Sequence, residues 1–261
     1  MDAFERLKRA KLFICDMDGT VYLGDEVLEG AREFVDFVKK SGRRFLFFTN
    51  NASRRKEDYY EKLSRLGFSE CTLMTSGDVT ISYLNKHYPD KTVYVLGTRA
   101  LKDSMIKGGV RLTEDDSADI VVSSFDTELT YEKLCIACDA LRKGALFLST
   151  HPDYNCPTEK GFIPDSGAIA ALLTASTGKT PKYLGKPYAE TAEAICSLMG
   201  IEPEDCVSVG DRLYTDIALA KGAGMLSVLV LSGETKSEDI NSENAPDIVL
   251  NGVYEIPKFL A

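Results

Sequence analysis

Short apolar runs alternate with segments of helical periodicity along almost the whole of this chain, and that alternation leaves few folds open. Leu12 to Cys15, Phe45 to Phe48, Val93 to Leu96, Ile120 to Val122, Leu146 to Leu148, Cys206 to Val209 and Leu226 to Leu231 have the length and apolarity of strands buried on both faces. Between them, Phe34, Phe37 and Val38 recur at helical spacing in Ala31 to Lys40, a segment that ends before Gly42. A second helix is expected after Ser53 as N-cap, with Tyr59, Leu63 and Leu66 on one face and Gly67 as its stop. Further helices are expected over Arg99 to Lys107, Tyr131 to Lys143, Ser166 to Ser176 and Glu190 to Met199. Strands and helices in this order make a doubly wound, mostly parallel α/β sheet.

Parallel sheets collect ligands at the carboxyl ends of their strands, so the residues that follow each run carry the functional argument. Asp16-Met17-Asp18-Gly19-Thr20 follows the first strand, and Thr49-Asn50-Asn51 follows the second. Gly185-Lys186-Pro187 precedes a helix, and Gly210-Asp211-Arg212-Leu213-Tyr214-Thr215-Asp216 follows a later strand. Asp16 at a strand end fits a nucleophilic carboxylate once a bound Mg²⁺ screens its repulsion from a phosphate dianion. Asp18, two residues on, can protonate a leaving group and later take a proton from water. Thr49, Asn50, Asn51 and Lys186 are the candidate phosphate and substrate contacts. Asp16, Asp18 and Asp211 are the candidate metal ligands, with Asp216 behind them to orient a ligand or a metal-bound water. Taken singly, each has a plainer reading: Asp-x-Asp-Gly as a solvated turn, Lys186 as a surface lysine, Thr49 as a helix cap. Their joint occurrence in this order favours phosphoryl transfer.

This motif set resembles that of the haloacid dehalogenase (HAD) superfamily of phosphatases, over nearly the whole chain. The resemblance implies Asp16 as nucleophile, Asp18 as general acid/base, Thr49 and Lys186 as phosphate clamps, and Asp211 as Mg²⁺ ligand with Asp216 behind it. It also implies phosphatase chemistry within the superfamily, because dehalogenases lack the second Asp of the first motif and ion-pumping ATPases carry Thr there. The expected fold is a HAD-like Rossmannoid core, residues 1–81 and 182–261, with an inserted α/β cap domain, residues 82–181. A large α/β cap between the second and third motifs is similar to the para-nitrophenyl-phosphatase and ribonucleotide-monophosphatase branch, in which a cap loop meets the leaving group and relatives often associate through the cap. That makes a homodimer through the cap the self-association to look for.

The best local candidate for such a loop is Thr150 to Pro157 running on to Pro164, a rigid polar segment with His151, Asp153 and Asn155 as substrate contacts. A substrate-contacting or structural role is expected for His151 in preference to acid/base chemistry. His87, at an apparent helix end, is expected to be a surface cap. Cys135-Ile136-Ala137-Cys138 has redox or half-zinc spacing but lies in a helical stretch, and Cys15 should point into packing. Seven cysteines in a chain of 261 residues fit reduced thiols better than a disulfide framework.

A net charge of −9 argues against nucleic acid and anionic membrane surfaces as partners, so a small phosphorylated metabolite must be held by local devices: Mg²⁺, Lys186, backbone N–H groups, Arg54 or Arg55. No signal-like or membrane-spanning run is evident, and a cytoplasmic protein is expected. Gly233 to Pro246 reads as a solvated loop with a short helix, its acidity without function. Two rival activities stay open at this level. One is a phospho-accepting signalling module, disfavoured by Asp18 and the large insert; the other is a sugar phosphotransferase or phosphomutase.

Overall fold

The computed structural model describes residues 2–158 and 161–260. The chain divides into two compact units, one of residues 1–49, 59–74 and 186–261, the other of residues 50–58 and 75–185.

The first unit is built on a six-stranded sheet in the order Ile248–Leu250, Leu226–Val230, Cys206–Gly210, Leu12–Cys15, Arg44–Thr49, Thr72–Thr75. The four pairings from Ile248–Leu250 across to Arg44–Thr49 are all parallel. Period-two alternation sends Phe13, Cys15, Phe45, Phe47, Val207 and Val209 to one face, where they meet Phe34, Val35 and Val38 of the helix Ala31–Lys40. Phe13, Phe34, Phe45, Phe47 and Phe68 form a chain of edge-to-face rings there, with centroids 4.8 to 6.0 Å apart. On the other face Leu229 packs with Leu213 and Ile217. Burial on both faces explains why these strands are apolar without alternation.

The second unit has its own five-stranded parallel sheet, ordered Lys182–Tyr183, Leu146–Ser149, Ile120–Ser123, Thr92–Leu96, Arg111–Leu112. Its helices Tyr131–Arg142 and Ser166–Thr177 bury Ala137, Leu141, Ile169 and Leu173 against Tyr94, Leu96, Val121 and Phe147. The doubly wound α/β architecture with an inserted α/β cap is therefore present. Cys135 and Cys138 fall on one of those helices, exposed and buried respectively, and all seven cysteines are free thiols. His87 ends the helix Ser76–His87 and stacks on Tyr83 at 4.5 Å. No helix among the described residues is long and apolar enough to cross a membrane.

Two local expectations are revised. The helix after the second strand starts at Lys56, not after Ser53. Ser53 instead donates its backbone N–H and its hydroxyl to Asn51 Oδ1, at 2.9 and 2.7 Å, in an Asx turn that competes with helix initiation. Within the rigid polar segment after Pro152, Asn155–Thr158 and Gly161–Pro164 pair as a hairpin where a loop was expected.

Asp119 fastens one edge of the second sheet. It accepts hydrogen bonds from Thr92 N at 2.9 Å, Thr92 Oγ1 at 3.0 Å and Lys91 Nζ at 3.0 Å. Those donors favour the anion, the backbone N–H of Thr92 most, and lower its pKa from 3.8 to about 2. A carboxylate whose folded pKa is depressed contributes stability above its unfolded value and loses it as pH falls through the folded one. Asp119→Ala should therefore lower the denaturant midpoint at pH 7, and the gap from wild type should narrow as pH falls from 3.8 towards about 2. A gap independent of pH would show that Asp119 acts through packing alone.

Candidate active site

Register brings the site together. Cys15 pairs with Val209 on one side and Phe47 on the other, so Asp16, Asp211 and Thr49 leave neighbouring strands at the same edge of the sheet. Asp16 N donates to Val209 O at 2.9 Å, which holds the first strand in line for one residue beyond its end. Lys186 then joins the group from the loop before the helix Ala189–Met199. Its Nζ lies 2.6 Å from Asp16 Oδ1 and 2.7 Å from Asp216 Oδ1. It also lies 3.5 Å from Phe48 O and 5.3 Å from the centre of the Phe48 ring. A lysine that would pass for a surface residue in the sequence is buried between two acids.

Asp216 sits in a single π-helical turn, Leu213–Ile217, that precedes the helix Ala218–Ala223. Its Oδ2 accepts from Arg212 N and Thr215 Oγ1, each at 3.3 Å, leaving Oδ1 for Lys186. Carboxylate oxygens of Asp16, Asp211 and Asp216 lie within 4.8 Å of one another. Asp18, expected as a third ligand, is exposed, and its side chain is not in this group, which Asp216 completes. Gly19 makes the turn at φ +83°, and a Cβ there would come within 2.5 Å of Asp211 Oδ2, so neither the backbone nor the space admits another residue.

The electrostatics call for a cation. Three carboxylates crowd around one ammonium in a largely buried group, an excess of acids over the cation in contact with them. Burial, reinforced by Asp216 and Asp211 and opposed by Lys186, pushes Asp16 up to about 8. Burial and Asp216 push Asp211 up to about 6. Burial works against the Lys186 charge, but Asp16 and Asp216 outweigh it and raise its pKa. The directions agree: the carboxylates cannot all ionise on one lysine, and protons or a divalent cation must supply the balance. A set of hard oxygen donors carrying that excess suits Mg²⁺ or Ca²⁺ and no soft metal.

The loop after Leu226–Val230 completes this edge of the sheet. Glu234 N donates to Asp211 Oδ2 at 2.7 Å, Thr235 N donates to Asp211 O at 3.2 Å, and Ser232 Oγ donates to Gly19 O at 2.8 Å. Thr20 Oγ1 lies 3.4 Å from Asp211 Oδ1. The reading of Gly233 to Pro246 as a solvated loop is thus corrected at its first residues, where Glu234 N and Thr235 N are tied to Asp211 and Thr235 is buried. The signal was available: Ser232 follows a buried strand of the same sheet, at the edge where Asp16 and Asp211 emerge.

The remaining candidates belong to the second unit. Asn50 Nδ2 donates to Asp153 Oδ2 at 3.1 Å. His151 is fully buried, with Nδ1 3.3 Å from Asp153 Oδ2 and Nε2 3.3 Å from Asp165 Oδ1. Asp165 also caps the helix Ser166–Thr177, accepting from Ser166 N at 2.6 Å. An acid beside each ring nitrogen turns His151 inward and gives it a structural setting. Asp153 is buried with it, while Asn155 stands exposed on the hairpin. Asp165 was not singled out in the sequence, where nothing in its neighbourhood marks it as the partner of a histidine fourteen positions earlier.

Residues 13–111 match the family described as Haloacid dehalogenase-like hydrolase, and residues 183–256 match a second family described as HAD-hydrolase-like. An acid sugar phosphatase of Staphylococcus aureus is 34% identical over 92% of this chain and 93% of its own length. The chain belongs to the haloacid dehalogenase-like hydrolases. Among solved HAD-like structures, a 4-nitrophenylphosphatase of Thermotoga maritima superposes with a TM-score of 0.92 at 42% identity, covering 98% of this chain and 99% of that one. A glycerol phosphate phosphatase of Mycobacterium tuberculosis, solved with calcium, gives 0.89 at 29% identity over 96% of this chain and 76% of that one. This HAD-like chain is a hydrolase by that membership, and its sequence and fold match the branch that holds these phosphatases.

Proposed function

We propose that the chain hydrolyses small phosphomonoesters of sugar and polyol alcohols through an aspartyl-phosphate on Asp16. The observation that carries this reading is Lys186 held between Asp16 and Asp216 beside Asp211, a cation and three carboxylates focused on one strand edge. In this reading an Asp16 carboxylate oxygen attacks phosphorus, the ester P–O bond breaks, and Asp18 protonates the departing alkoxide. Asp18 then takes a proton from the water that hydrolyses the acyl phosphate, releasing phosphate and restoring Asp16. Lys186 and Thr49 bind phosphoryl oxygens, and Asp16, Asp211 and Asp216 are the side chains that would hold a divalent cation. When bound, Mg²⁺ supplies charge neutralisation between the attacking carboxylate and the phosphate dianion. The names of the relatives support the choice of alcohol. Selection among alcohols falls to groups that see more than phosphate, and in the second unit the exposed hairpin carrying Asn155 is the candidate for that task.

Phosphate release from 4-nitrophenyl phosphate, glycerol phosphate and a set of hexose phosphates, each with Mg²⁺ and with EDTA, tests the reading. Repeated turnover with Mg²⁺ and background rates in EDTA are expected. Undiminished release in EDTA would refute the metal-assisted mechanism. One equivalent of phosphate transferred to protein without turnover would favour a phospho-accepting module instead.

A further inference from the structure

We propose that Glu234 is a positioning residue that sets the affinity of the acidic cluster for its divalent cation, an inference that rests on the metal-assisted reading above. Glu234 grips the motif around Asp211 at both ends of its own length. Its backbone N–H donates to Asp211 Oδ2 at 2.7 Å, a charge-assisted bond that fixes which way the carboxylate faces. Its side chain folds back along the same loop, with Oε1 accepting from Tyr214 OH at 3.0 Å and Oε2 lying 2.9 Å from Arg212 Nε. Asp211, Arg212 and Tyr214 are near neighbours in sequence, so one glutamate closes a ring over the turn between Asp211 and Asp216.

Two further contacts make the ring tight. Ser232 Oγ donates to Gly19 O at 2.8 Å, tying the strap to the turn after Asp16. A Cβ on Gly233 would come within 2.0 Å of Asp211 Oδ2, so the strap lies in direct contact with the carboxylate it orients. The same Glu234 carboxylate thereby holds the Arg212 side chain on the strap as well.

Removing the Glu234 side chain leaves the backbone donor in place but releases the strap and frees Arg212. Partners that orient metal ligands typically govern tenfold to a hundredfold in metal affinity, and Glu234→Ala should weaken Mg²⁺ binding by about that factor. Glu234→Gln keeps an acceptor for Tyr214 without a charge for Arg212 and should fall between wild type and Glu234→Ala. Tyr214→Phe removes one tie and should cost less than either.

Isothermal calorimetry with Mg²⁺ on these variants, with wild type and Asp211→Asn beside them, reads the effect without turnover. The Mg²⁺ concentration for half-activation should rise in parallel with the calorimetric Kd, and the ester KM at saturating Mg²⁺ should change less. If wild type binds Mg²⁺, Asp211→Asn loses it and Glu234→Ala matches wild type, the inference is overturned while the metal reading stands. If wild type binds no Mg²⁺, both fall.

Discussion

Asp16→Asn should abolish turnover, lowering kcat by about four orders of magnitude or more, while leaving the metal-free protein as stable as wild type or more so. The amide matches the carboxylate in shape but cannot attack phosphorus. The stability half follows from the direction of the Asp16 shift. Burial pushes its pKa up to about 8, so the ionised side chain is disfavoured in the folded protein at neutral pH and opposes folding there. A neutral amide removes that opposition, and Lys186 keeps Asp216 as its second partner at 2.7 Å. Phosphate release and thermal melting without metal measure the two halves. Residual turnover above a hundredth of wild type would remove Asp16 as nucleophile. A clear fall in melting temperature would make it a structural residue.

Much of this arrangement was legible in the sequence because the elements that build it are local. Leu12 to Cys15 and Ala31 to Lys40 announce themselves through apolarity and helical spacing, and the structure forms Leu12–Cys15 and Ala31–Lys40 within those bounds. A strand end followed by Asp is visible wherever it occurs. What the sequence hides is pairing over distance. Nothing in Gly185-Lys186-Pro187 says that the ammonium will be buried between two aspartates, since its partners lie 170 positions before and 30 after. His151 is another such case. A histidine in a polar loop is open to a substrate-contacting or a structural role, and the acids beside its ring nitrogens are Asp153, two positions on, and Asp165, which lies beyond the hairpin. Glu234 was passed over for a second reason: its acidic surroundings from Ser237 to Asn244 look solvated and mostly are, which masks the few residues that follow a strand end. The π turn around Asp216 leaves no pattern signal, because one residue more per turn is a backbone adjustment that sequence periodicity does not resolve.

Lys186→Met should destabilise the protein and cripple it together, in a way that depends on pH. The substitution keeps most of the volume and removes the only ammonium among the described residues in contact with Asp16 and Asp216, two carboxylates that are 15% and 2% exposed as side chains. Breaking a buried pair by removing one partner typically costs about 3–5 kcal/mol, and the lower end is expected here because the orphaned Asp16 can hold a proton. For a chain of this size about 3 kcal/mol corresponds to a fall of roughly 6–12 °C in melting temperature. The sign of the pH dependence follows from Asp16. Burial already pushes it up to about 8 beside Lys186, and loss of the ammonium, which opposes that rise, moves it higher still, so above that pH the variant must keep a proton on Asp16 or ionise it unpaired. The deficit relative to wild type should therefore grow as pH rises through about 8. Mg²⁺ should recover part of it, because a divalent cation supplies the charge the lysine withdrew. Turnover should fall by about a hundredfold to a thousandfold even in saturating Mg²⁺, the loss expected when one fixed donor to a reacting anion is removed. Melting curves at three pH values, with and without Mg²⁺, read all of this in one protein. A melting temperature equal to wild type at pH 8 would mean that Lys186 does not neutralise the cluster, and the charge balance that calls for a divalent cation would have to be redrawn.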